Sequence, residues 1–93
     1  METVSARITV KGMVQMVGYR YFARLNASEM GIKGWVRNLP NGDVEVVASA
    51  ERDVMKEFIA LLKRGPSSAV VRDILVHYDY PMDDGVTGFS VRF

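Results

Sequence analysis

The chain has 93 residues, of which 48% are apolar, carries a net charge of +1 and contains no cysteine. These numbers set one small globular domain over residues 1–93 with a modest core. They exclude disulfides, thiolate metal sites and cysteine catalysis. A net charge so close to zero argues against a nucleic-acid backbone as the main ligand. No apolar run reaches the length of a membrane span, and the first residues carry no signal-like apolar region. The cytoplasm is the expected compartment, with no nucleic-acid or membrane partner.

In chain order, Ser5–Lys11 predicts the first strand, with Ala6, Ile8 and Val10 on one face and Arg7, Thr9 and Lys11 on the other. Such alternation fits a sheet covered on a single side. A loop bounded by Gly12 and Gly18 follows, then a helix over about Arg20–Met30. Phe22, Ala23, Ala27 and Met30 recur at helical spacing and should face the sheet. Gly31 suits the left-handed position that ends a helix. Lys33–Leu39 and the Val44, Val46, Ala48 run are two strands, and Asn41-Gly42 between them signals a hairpin. A second helix is predicted over Glu51–Lys63, with Ser49 as N-cap and Val54, Phe58, Leu61 and Leu62 as its apolar stripe. Val70–Tyr80 reads as a strand with a bulge near Arg72-Asp73, because Val71 is out of phase with Ile74, Val76 and Tyr78. Phe89, Val91 and Phe93 alternate with Ser90 and Arg92 in a last strand. The expected architecture is α+β, a ferredoxin-like α/β sandwich. It has an antiparallel sheet, two helices on one face and the order βαββαβ plus a C-terminal strand.

The chemistry concentrates in Gly12-Met13-Val14-Gln15-Met16-Val17-Gly18-Tyr19-Arg20. A glycine-bounded loop between a strand and a helix aims backbone N–H groups at one point, and the helix dipole adds positive potential there. Arg20 in the first helical turn adds a cation where the local field is already positive, which favours a bound anion. The loop lacks the Lys-Ser/Thr ending of a nucleoside-triphosphate P-loop. Asn38, just before Leu39-Pro40, caps its own turn or, if its strand lies beside the loop, holds a water for attack. His77, the only histidine, stands far from the loop, and Asp83-Asp84-Gly85 reads as a turn. No pattern gives metal-ligand spacing, so neither metal nor cofactor is expected.

These segments resemble acylphosphatases. Gly12, Val14, Val17 and Arg20 match the family's loop pattern, with Tyr19 in the phenylalanine place. Gly34, Val36 and Asn38 match its second signature, and the likeness covers nearly the whole chain. The resemblance implies a metal-independent hydrolase that cleaves the carboxyl–phosphate bond of small acyl phosphates. It implies substrate binding by Gln15, Met16, Val17, Gly18, Tyr19 and Arg20. It further implies transition-state stabilisation by Arg20, water positioning by Asn38, and inorganic phosphate as product and competitive inhibitor. A monomer is expected.

Met16 departs from the family, which usually has glycine there. At positive φ a methionine costs on the order of 1–2 kcal/mol. The expectation is negative φ, with the thioether packed over the loop as a gap-filler. Two other readings compete. One is a catalytically weak anion-binding domain, prompted by Met16. The other is a single-stranded RNA-binding module, in which Val17–Phe22 resembles a strand with stacking aromatics.

Overall fold

The computed structural model describes residues 2–93. It contains β1 (Thr3–Met13), α1 (Tyr19–Glu29), β2 (Lys33–Asn38), β3 (Val44–Glu51), α2 (Arg52–Arg64), β4 (Val70–Tyr78) and β5 (Phe89–Arg92). The five strands form one sheet in the order β4-β1-β3-β2-β5. Neighbours from β4 to β2 pair antiparallel, and β5 joins the β2 edge in parallel. The sandwich is as expected, with a mixed sheet once β5 is added. Both helices pack on one face of the sheet.

That face is built by alternation. Ala6, Ile8 and Val10 of β1 lie opposite Ala48, Val46 and Val44 of β3, and all are buried. Val36 continues the row onto β2. Ala23 and Ala27 of α1 are buried, which lets that helix sit close to the strands. In α2 the buried residues are Met55, Phe58, Ile59 and Leu62. The predicted stripe was therefore rotated by one position, since Val54 and Leu61 are only half-buried. Ser49 is not the N-cap of α2. It lies within β3, paired with Ser5 and Lys33, and Glu51 takes the cap position without a side-chain bond.

β1 extends two residues further at each end than its alternation predicts. Gly12 is part of the strand, opposite Val71, where the β1–β4 register shifts and leaves Arg72 as the bulge. A Cβ at Gly12 would stand 2.1 Å from the Val70 carbonyl oxygen. The glycine is needed for close strand approach, not for a loop turn. The loop proper runs over residues 14–18. Its chain then turns into α1 at the end of the sheet where β2 and β5 also terminate.

Candidate active site

Helix α1 starts without a side-chain cap. Its N-cap is Gly18 at φ 78°, and no acidic residue occupies its first turn. The positive end of the dipole is therefore left open. Met16 also has positive φ, 63°, whereas Val17 between them does not. Alternating the sign of φ turns successive N–H groups toward one concavity, a nest that suits an anion. Among the described residues, no backbone bond engages the N–H groups of Gln15 through Arg20. Met16 thus contradicts its expectation. It adopts the left-handed conformation, and its side chain is 99% exposed instead of packed over the loop.

The loop is tied down from two sides. Gln15 Nε2 donates to the carbonyl oxygens of Leu39, at 2.7 Å, and Asp43, at 2.8 Å. Ser68 Oγ donates to the Val17 carbonyl. The Gln15 clamp joins the loop to the β2–β3 hairpin, which carries Asn38 on its first strand. Asp43 anchors the same hairpin through Lys11 Nζ at 2.7 Å and through Asn41. The Lys11 bond holds the Asp43 carboxyl below its ordinary range, against the opposing pull of burial. On the far face of the sheet, Glu45 accepts from Arg7 and Arg37. Burial pushes its carboxyl up, but the two guanidinium bonds outweigh that and hold it low.

A cleft of about 270 Å³ opens at this end of the fold, bordered by Met16, Gly18, Tyr19, Arg20 and Asn38. Its volume fits a small molecule. Arg20 is half-buried, pairs with no carboxylate among the described residues, and sits 4.8 Å over the Phe93 ring. Asn38 follows the core-facing row of β2. Its Oδ1 is buried and has no hydrogen-bond partner. A turn-capping asparagine would have spent that oxygen on its own backbone, so the capping alternative fails. A buried acceptor without a protein partner and a cation without a carboxylate partner thus line the same cleft.

The other predicted residues separate by which atoms they offer. Both Gln15 side-chain bonds come from Nε2 and the Val17 side chain packs against the core, so the donors these two residues offer the cleft are their backbone N–H groups. Tyr19 is buried, and its hydroxyl donates to the Leu62 carbonyl at 2.7 Å. Burial raises its pKa well above the usual tyrosine value. His77 is exposed on β4 opposite Arg7, away from the cleft. Asp83 caps a turn through Gly85 N–H. Among the described residues, no three His, Cys, Asp or Glu side chains gather as a metal site, and no helix is long and apolar enough to cross a membrane. The sequence did not reveal the Gln15 clamp or the aromatic rim of Tyr21 and Phe93. No local periodicity marks contacts of that range.

The acylphosphatase family model matches residues 6–91. The chain belongs to the acylphosphatase family. It is a hydrolase of acyl phosphates. It is 48% identical over 91 residues to an acylphosphatase of Caldivirga maquilingensis, covering 97% of this chain and 95% of that one. It is 42% identical over 91 residues to one of Trichormus variabilis, covering 98% and 88%. The crystal structure of acylphosphatase from Bacillus subtilis superposes with a TM-score of 0.91 at 33% identity, covering 97% and 99%. The RNA-binding alternative fails on structure as well. The stretch that would form its stacking strand is the loop end and first turn of α1.

Proposed function

We propose that the cleft hydrolyses small acyl phosphates through the loop N–H groups, Arg20 and Asn38 alone, without a metal or cofactor. The observation that carries this reading is the buried, unpaired Oδ1 of Asn38 on the same cleft as the unpaired Arg20 and the open helix N-terminus. The substrate's phosphate occupies the nest of N–H groups from Gln15 to Arg20. The Arg20 guanidinium moves from the Phe93 ring to the phosphate oxygens, which it matches in a planar fork. Asn38 Oδ1 accepts a hydrogen bond from water and aims its lone pair at phosphorus. The P–O bond to the acyl group breaks as the water bond forms, and the carboxylate leaves with the electron pair. A non-bridging phosphate oxygen takes the water proton, so no strong base is required. A carboxylate is a good leaving group, and positioning plus preorganised electrostatics suffice.

The same geometry makes inorganic phosphate a competitive inhibitor, since it is product and fits the nest. A monomeric domain acting in the cytoplasm, without nucleic acid or membrane, completes the reading. The test is Arg20→Ala and Arg20→Lys with a synthetic acyl phosphate in excess EDTA. Wild-type turnover should be indifferent to the chelator. Both variants should lose at least about a hundredfold in turnover and bind phosphate more weakly. A nearly active lysine variant with an intact fold would remove Arg20 from the site.

A further inference from the structure

We infer that Ser68, which lies outside the cleft, is a positioning residue for the phosphate site: its hydroxyl fixes the peptide plane between Val17 and Gly18 and so aims the Gly18 N–H at the bound phosphate. The inference rests on the phosphate-binding role proposed above and names what holds that site in its working shape. Ser68 Oγ donates to the Val17 carbonyl oxygen at 2.7 Å. This peptide is trans, and a trans peptide points its C=O and the following N–H in opposite directions. With the Val17 carbonyl turned to Ser68, the Gly18 N–H is turned away from it. Gly18 borders the cleft and Ser68 does not.

The plane needs such an anchor. Gly18 has φ 78°, and a glycine adopts the opposite sign about as readily. Val17, at negative φ, has both the helical and the extended range of ψ open to it. A flip of the plane therefore costs little in backbone conformation. It would also spare the 3.0 Å bond from the Phe22 N–H to the Gly18 carbonyl, so the start of α1 does not oppose it. A flipped plane would present the Val17 carbonyl oxygen where the phosphate needs a donor. Among the described residues, no backbone N–H bonds to the Val17 carbonyl, and Ser68 is its one side-chain donor.

Ser68 is itself held. It stands in the connection from α2 to β4, in a turn closed by the Ala69 N–H on the Pro66 carbonyl at 3.0 Å. The Pro66 ring fixes a backbone angle at the start of that turn. The connection is seated against the first residue of α1. A Cβ on Gly65 would stand 3.3 Å from the Tyr19 ring, and the Tyr19 hydroxyl donates to the Leu62 carbonyl at 2.7 Å. The hydroxyl of Ser68 is thus presented to Val17 before any ligand binds, which keeps the ordering cost out of phosphate binding. The Gln15 clamp holds the other end of the loop through a side chain and does not set the plane between Val17 and Gly18.

The test compares wild type with Ser68→Thr, which keeps the hydroxyl, and Ser68→Val, which has the same shape without it. The readouts are KM and kcat for benzoyl phosphate and the inhibition constant of inorganic phosphate. Ser68 is exposed, and thermal melts confirm that each variant folds. Ser68→Ala, which crowds nothing, carries the same expectations as the valine variant. The nest holds the phosphate in the ground state and the transition state alike. Ser68→Val should therefore raise KM and the inhibition constant together by about three- to tenfold, the worth of one hydrogen bond, with kcat within about twofold of wild type. Ser68→Thr should stay close to wild type. In NMR spectra the Gly18 amide of free Ser68→Val should leave its wild-type position, and saturating phosphate should bring it to the position of the wild-type complex. Unchanged KM and inhibition constant in Ser68→Val, equal losses in the threonine and valine variants, a fall confined to kcat, or an unmoved Gly18 amide would each overturn the inference. A wild-type protein that neither turns over benzoyl phosphate nor binds inorganic phosphate would instead bring down the phosphate-binding reading, and the role of Ser68 with it.

Discussion

Met16 holds φ 63° with its side chain in solvent, so Met16→Gly isolates the backbone cost of the loop. A non-glycine residue in the left-handed region costs roughly 1–2 kcal/mol, which glycine avoids. Against this, glycine gains unfolded-state freedom worth about 0.4–1 kcal/mol. Almost no apolar burial is lost, because the methionine side chain is 99% exposed. The balance is a gain of roughly 0.5–1 kcal/mol, which in a domain this small raises Tm by about 2–8 °C. Inorganic phosphate should stabilise wild type and variant equally, since the N–H groups that bind it are backbone atoms. Thermal melts and urea titrations of both proteins, with and without phosphate, measure all of this. A less stable glycine variant would refute the reasoning and show that the thioether makes contacts the structure does not contain. A weaker phosphate shift would show that Met16 shapes the nest itself.

Two further changes probe what holds the site in place. Gly12→Ala places a methyl group against the Val70 carbonyl at φ 132°, so strain and overpacking together should cost about 2–5 kcal/mol. Urea unfolding will show it, and a loss under about 1 kcal/mol would mean the β1–β4 approach relaxes freely. Glu45→Gln removes a carboxylate that Arg7 and Arg37 hold below its ordinary range. The stabilisation from a depressed carboxylate is complete above its unfolded pKa and is lost as pH falls through the lower folded value. The variant should therefore be less stable by about 1–2 kcal/mol near neutrality, a modest figure because both arginines stay partly solvated. The gap should close below about pH 4, and a gap constant down to pH 2 would assign the loss to packing.

Much of the fold was legible because period-two alternation is a direct record of which face is buried. Ile8, Val10, Val44 and Val46 could be assigned to the core from their spacing, and Val71 betrayed the bulge by being out of phase. The α2 stripe slipped because Val54 and Leu61 are as apolar as Met55 and Ile59, and composition does not say which side of a helix meets the sheet. Gly12 was misread as a loop boundary because a glycine needed for close approach looks the same as one needed for a turn. Ser49 looked like a cap because strands give no local stop signal when pairing on both sides carries them onward. In the site, Arg20 and Asn38 stood out by residue type. Their supports did not. The Gln15 amide could have faced the ligand, and only the folded hairpin shows it bonded to Leu39 and Asp43. Met16 was expected to pack, yet the chain accepts strain at that point, as functional loops often do.

The central claim is a division of labour on one cleft, in which Arg20 and the loop hold phosphate and Asn38 holds water. Asn38→Ala measures it most directly, with kcat for an acyl phosphate and the inhibition constant of inorganic phosphate determined on the same folded protein. The account predicts a kcat lowered by at least about a hundredfold and a phosphate inhibition constant within about twofold of wild type. Equal losses in the two quantities would make Asn38 a phosphate ligand, and an unchanged kcat would contradict the account outright.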